Sequence, residues 1–172
     1  MSDDFNFEPI LGLPEDLPLG EEILWQGNPN WFRLAWNSFG VMWISIYVFL
    51  AMLIHIYQGF LSSSSKLLFP IIFFYFLIWL LTSGLMAFLA NLQGKSSIYT
   101  ITNKRVVMRI GVALPITFNI PFTQISSVDL KSYGSTGSIA LSLSGSNKIS
   151  YANCWPHVRP WHFSKPAPSL LF

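Results

Sequence analysis

A chain of 172 residues with 52% hydrophobic and 10% charged residues falls outside the balance of soluble domains, in which about a quarter of residues are charged. It therefore reads first as a membrane protein. The formal charge of +2 is too small to support a nucleic-acid partner, and the single cysteine, Cys154, excludes an internal disulfide. Charge is unevenly placed, since seven of the eight acidic residues fall within the first 22 positions and eight of the ten basic ones lie after position 94.

Residues 1–35 form an N-terminal arm. Pro9, Pro14, Pro18 and Pro29, with Gly12, Gly20 and Gly27 between them, exclude a long helix and favour extended chain with turns. Phe5, Phe7, Ile10, Leu11, Leu13, Ile23, Leu24 and Trp25 offer enough apolar surface for docking, so a flexible tail and an ordered arm both remain open. The acidic, polar start lacks the basic region and apolar core expected of a cleavable signal peptide.

Residues 36–93 hold two apolar runs. The first, 39–57, reads FGVMWISIYVFLAMLIHIY without a formal charge and would reach about 28 Å as a helix, enough to cross a bilayer. The second, 67–89, reads LLFPIIFFYFLIWLLTSGLMAFL and would reach about 35 Å, with Pro70 in its first turn where a missing N–H does little harm. A short polar connection, QGFLSSSSK, makes the pair an antiparallel hairpin; runs this apolar leave no polar face for a soluble core helix to show to water. Lys66 alone lies between them, whereas Arg33 precedes the first and Lys95, Lys104, Arg105 and Arg109 follow the second. By the positive-inside rule both termini face the cytoplasm. Trp31, Trp36, Trp43, Tyr57 and Trp79 are candidate interfacial anchors or lipid-facing bulk.

Residues 94–172 change to period two. In ALPITFNIPF, Leu114, Ile116, Phe118, Ile120 and Phe122 are apolar and the alternate positions small or polar, the pattern of a half-buried strand. Pro115 and Pro121 place it at an edge or interrupt it. Val106, Met108 and Ile110 alternate before it, after a turn at Thr102-Asn103-Lys104. Ile139, Leu141 and Leu143 alternate after YGSTGS, and Ile149 with Tyr151 follows GSN. At least five short strands make a small antiparallel sheet or barrel.

The stretches IYTITNKRVVMRIG, ITFNIPFTQISSVDL and GSIALSL resemble the bacterial pleckstrin-homology-like (PH-like) domain that follows a pair of membrane helices. With the flanks FEPILGLPEDLPLGEEILWQGNPNW and WPHVRPWHFSKPAP, nearly the whole chain resembles the PuhB family of photosynthetic complex assembly proteins of purple bacteria. The fold class is then membrane α+β, a two-helix transmembrane hairpin followed by a small antiparallel PH-like domain. The resemblance implies a cytoplasm-facing domain in the bacterial inner, intracytoplasmic membrane, acting in biogenesis of the reaction centre and light-harvesting 1 antenna, with a homodimer as one arrangement. Such a barrel is normally closed by a C-terminal helix, and this sequence stops at Phe172; without that helix one mouth of the barrel is expected to lie open to a partner or the membrane.

Candidate chemistry is sparse. Cys154, His157 and His162 give C-x-x-H-x-x-x-x-H, but no fourth ligand is evident and the intervening Trp155, Pro156, Pro160 and Trp161 read as packing. Asp129 is the only carboxylate after position 22, which argues against paired-carboxylate catalysis, and there is no Gly-rich phosphate loop. No enzyme, no resident cofactor and no metal are therefore expected. His55 is an ionisable residue within an apolar run; its imidazole could ligate the magnesium of a bacteriochlorophyll, although hydrogen bonding to water or a carbonyl near the interface is the reading favoured. Thr82-Ser83-Gly84 offers small residues for close helix packing. Lys95, Lys104, Arg105 and Arg109 are candidate lipid-headgroup contacts, each worth on the order of 1 kcal/mol beside anionic lipid. Trp25, Trp155, His157, Arg159 and Trp161 are candidate partner contacts, because large aromatic residues carry much interface energy. The expected function is a non-enzymatic assembly factor contacting reaction-centre or light-harvesting 1 subunits. A generic lipid-sensing or scaffold protein, or a resident pigment-associated subunit, are the alternatives.

Overall fold

The structure, a computed structural model, describes residues 10–13, 15–61, 68–133, 136–144, 150–158 and 167–171, the side chain of Tyr133 excepted. Strand β1 (Ile23–Gly27) leads through one helical turn, α1 (Trp31–Arg33), and a π-helical turn (Leu34–Ser38) into the long helices α2 (Val41–Leu61) and α3 (Leu68–Ser96). Strands β2 (Ile98–Thr102), β3 (Arg105–Ile110), β4 (Ile116–Pro121), β5 (Ile125–Tyr133) and β6 (Thr136–Leu143) follow, then a short helix, α4 (Tyr151–Cys154), and strand β7 (Ser169–Leu171).

Helices α2 and α3 are each long and apolar enough to cross a membrane. Tyr47, Phe60, Phe69 and Leu81 lie exposed along them, the reverse of a soluble core helix. Several polar side chains within them bond to groups of the same two helices, whereas the buried Ser83 hydroxyl of α3 has no partner among the described residues. The Trp79 indole donates to the Ser45 hydroxyl at 2.9 Å, and Ser45 donates to the Val41 carbonyl at 2.8 Å. The apolar runs underestimated both helices. The first ends at Leu61 rather than 57, and the second continues to Ser96 rather than 89, because Asn91, Gln93 and Lys95 keep helical backbone while leaving the apolar pattern.

Of the stretch read as an arm, residues 1–9 and 14, with Phe5 and Phe7, lie outside the described residues, and Ile23–Gly27 is tied into the sheet. Trp25, Gln26 and Gly27 of β1 pair with Ile101, Thr100 and Tyr99 of β2, giving a four-stranded antiparallel sheet in the order β1-β2-β3-β4. Glu21 reinforces the attachment, its Oε1 accepting from Arg105 Nε and from the Thr102 hydroxyl, both at 2.7 Å. A second antiparallel sheet has the order β5-β6-β7. The two share one core, in which Tyr99, Val106, Met108, Ile110 and Ile120 meet Leu141 and Leu170. Each such side chain withdrawn from water contributes about 1.5–3 kcal/mol of transfer free energy.

Two details depart from the period-two reading. Strand β4 starts only at Ile116, and Leu114 lies in the preceding turn, 82% exposed; Phe122 opens a 3-10 turn (Phe122–Gln124). Pro115 and Pro121 bracket the strand at these points, where neither supplies a ladder N–H. Tyr151 belongs to α4 rather than to a strand, and Ile149 lies outside the described residues.

Candidate functional site

Sheet and hairpin join where α3 emerges. Asn30 caps α1, its Oδ1 accepting from Phe32 N at 3.0 Å and Arg33 N at 3.2 Å. The chain then descends along α3. Asn28 Nδ2 donates to the Ser97 carbonyl at 2.9 Å, Trp31 packs on Gly94, and Leu34 and Ala35 cluster with Ala90 and Leu171. A Cβ on Gly94 would stand 2.9 Å from Trp31 Cβ, so glycine is what permits this approach. Gly40, at φ +71°, ends the segment that follows α1, and its carbonyl starts α2 by accepting from Ile44 N at 3.0 Å.

At the centre of this joint His157 is fully buried. Its Nδ1 pairs with the Tyr99 hydroxyl, and its Nε2 lies 3.2 Å from both Gln93 Nε2 and Ser97 Oγ. One ring thus links the last turn of α3, the start of β2 and the segment after α4. Burial pushes its pKa down to about 3, leaving the imidazole neutral, and pushes the Cys154 thiol up to about 12 and the Tyr99 phenol well above its ordinary value. A neutral ring with both nitrogens engaged inside the protein is a structural hub, not an exposed partner contact. Among the described residues no group of three or more His, Cys, Asp or Glu side chains is placed to hold a metal.

Beside the joint lies a cleft of about 490 Å³. Trp36, Met42 and Trp43 form the wall at the entry to α2, and Asp129, Lys131 and Ser138 form the wall of the second sheet. The register explains the polar wall: Asp129 pairs with Ala140 and Lys131 with Ser138, whereas the other face of the same strands carries Ile139 and Leu141 into the core. Trp155 does not line the cleft; its ring lies 4.9 Å from that of Phe39, and the residue is 43% exposed. A cleft with indoles on one side and charged and hydroxyl groups on the other suits an amphipathic protein segment.

The remaining candidates are dispersed. Trp25 lies half-exposed on edge strand β1. Arg159, Trp161 and His162 lie outside the described residues. Of the four basic candidates, Lys95 is exposed in the last turn of α3 and Lys104 is exposed at the β2–β3 turn, its Nζ 3.4 Å from the Leu19 carbonyl. Arg105 is ion-paired with Glu21, and Arg109 is buried. Alternation along β3 puts both arginines on the face shared with Val107, away from the common core, where the N-terminal segment covers the sheet and Gly12 packs on Ile98. They do not form one basic patch. His55 is exposed on α2, with Nδ1 3.0 Å from the Ala51 carbonyl and from the Tyr75 hydroxyl, so any ligation of magnesium falls to Nε2. In the small-residue run, Ser83 is buried while Gly84 has nothing within 4 Å of its Cβ position and faces outward.

The sequence reading missed the hub. Gln93 and Ser97 stand four residues apart just past the apolar run, a same-face pair that signals a polar partner, but the partner is 60 residues from Ser97.

A helical hairpin continuous with a two-sheet domain defines the class, and the chain belongs to the bacterial PH domain family, whose pattern matches residues 41–154. The match runs from the first residue of α2 to the last of α4, so β1 and β7 are additions outside it. The chain is also similar to a Rhodobacter capsulatus protein described as an uncharacterized 23.7 kDa protein in the puhA 5′ region, 42% identical over 170 residues, covering 96% of this chain and 79% of that one. No solved structure matches it.

Proposed function

We propose that this protein is a non-enzymatic, membrane-anchored assembly factor of the PuhB type for the photosynthetic reaction centre and its light-harvesting 1 antenna. Helices α2 and α3 cross the intracytoplasmic membrane with both termini cytoplasmic, and the sheet domain presents its surface to an incoming subunit. The single observation that carries this reading is the 42% identity to a protein described by its position beside puhA. The site supplies a mechanism. The His157 joint holds the domain at a fixed attitude to the helices, so a partner can pack laterally against the hairpin while its extramembrane segment enters the cleft between Trp43 and Lys131.

Deleting the gene should lower the amount of assembled core complex while pigment synthesis continues. Core complex at wild-type levels in the deletion strain would sink the proposal. Affinity purification of the full chain from detergent extracts should recover reaction-centre or antenna subunits in less than stoichiometric amounts and without bound chlorin. Stoichiometric recovery with pigment would instead identify a resident subunit.

A further inference from the structure

Strands β1 and β3 flank β2 and both run antiparallel to it, so both head back along the direction from which α3 arrives. The continuation of β1 becomes the segment Trp31–Ser38, which descends beside Gly94 and Ala90 and enters α2. The continuation of β3 is the β3–β4 hairpin tip, Gly111-Val112-Ala113-Leu114-Pro115. We propose that this tip is a third membrane contact, inserted into the headgroup and upper acyl region beside α3; this goes beyond the assembly role and rests on the two helices crossing the bilayer.

Three observations carry it. First, residues 110–118 read IGVALPITF without a charge or a hydrogen-bonding side chain other than Thr117, and the tip shows water Leu114 at 82%, with Val112 and Ile116 near 40%. Second, the loop is built to hold that side chain outward. Gly111 takes φ +122°, and a Cβ there would stand 2.5 Å from the Leu114 carbonyl oxygen, so the backbone folds tightly on itself at a position that only glycine fills, in the turn where the Leu114 side chain is exposed. Third, the depth matches. Arg109 is level with Ile98, and Ile110 with the folded loop carries the tip at most roughly 10 Å further, the upper bound set by the rise of extended chain. That distance is about seven residues of α-helix, which counted back from Ile98 reaches Asn91, next to Ala90, where the apolar stretch of α3 gives way to Asn91, Gln93 and Lys95. Uncharged aliphatic side chains at that depth replace water with acyl chain.

The test places single cysteines in the full chain, at Leu114, at Lys104 on the opposite end of the same strands, and at Leu80 midway along α3. The parent chain serves as blank for the buried Cys154. Each is labelled with an environment-sensitive fluorophore and reconstituted into phosphatidylcholine–phosphatidylglycerol vesicles carrying a doxyl quencher either near the head or near the methyl end of the acyl chain. The 114 label should be blue-shifted and quenched by the shallow doxyl, the 80 label by the deep one, and the 104 label by neither. Quenching at 80 without quenching at 114 overturns the hairpin contact and leaves the two crossings standing. Absence of quenching at 80 overturns the crossings and the contact together. Equal quenching at 104 and 114 overturns the orientation of the sheet on which the contact depends. Leu114→Glu, which keeps the loop backbone, should return a label at Val112 to the aqueous emission position.

Discussion

The hydroxyl of Tyr99 is hydrogen bonded to Nδ1 of His157, across 58 residues of chain, and both groups are sealed from water. Tyr99 is the second residue of β2, the first strand after the membrane-length helix, and His157 sits in the segment leading to β7, its carbonyl accepting from Ser169 N at 2.9 Å. The contact therefore closes the domain onto the helix that carries it.

Replacing His157 with Leu should destabilise the domain by about 2–4 kcal/mol, because the Gln93 amide loses its buried partner and the Tyr99 hydroxyl keeps only its bond to the Leu171 backbone, each loss costing about 1–3 kcal/mol. His157→Asn, which can accept from one neighbour, should recover part of the loss. Thermal unfolding in detergent reads the difference; equal stability of His157→Leu and the parent would show that the hub is dispensable.

Acid should weaken the same joint over a defined window. The native imidazole titrates near pH 3 because burial disfavours its charged form, whereas in the unfolded chain it titrates near 6.5. Between those values the unfolded state binds the extra proton, so stability rises with pH there and is lost as pH falls from about 6.5 toward 3, by at most about 1.4 kcal/mol per pH unit. Chemical denaturation at pH 7 and pH 5 should differ in the parent, and the difference should shrink in His157→Asn.

Severing Glu21 from Arg105 should free the N-terminal segment while the sheet stays folded. The Arg105 guanidinium holds the Glu21 carboxyl below the usual carboxylate range against the opposing effect of burial, so this link persists above the ordinary glutamate pKa and fails as pH falls through the lowered one. Glu21→Gln should cost about 1–2 kcal/mol as a charge-assisted bond is lost. Faster hydrogen exchange at Ile23–Gly27, with Val106–Ile110 still protected, is the expected pattern.

Gly94→Ala sets two effects against each other. Alanine gains up to about 1 kcal/mol of helix propensity over glycine, but its Cβ would stand 2.9 Å from Trp31 Cβ and 3.3 Å from Trp31 Cα, and such overpacking costs typically about 1–3 kcal/mol. The clash should win because backbone as well as side chain must move. A lower melting temperature with altered tryptophan emission is expected, and a stabilised variant would show that the descent of Trp31 along α3 is loose.

The sequence by itself determined what depends on local order. Two charge-free runs long and apolar enough to cross a membrane point to α2 and α3, because a helix satisfies its backbone groups within one segment, and the period-two alternation around Met108 and Leu141 points to strands with a buried face. Pro115 and Pro121 marked where β4 had to stop at each end. Tertiary structure decided what depends on residues distant in the chain. It made the arm a sheet strand, since β1 finds its partner only after the hairpin returns Tyr99–Ile101 to it. It buried Arg109 and tied the partly exposed Arg105 to Glu21, since which face of β3 is covered is settled by the N-terminal segment. It turned His157 from a candidate contact into the hub of the joint, because a polar side chain is buried or exposed according to whether three other groups arrive to satisfy it, and no local pattern records that arrival.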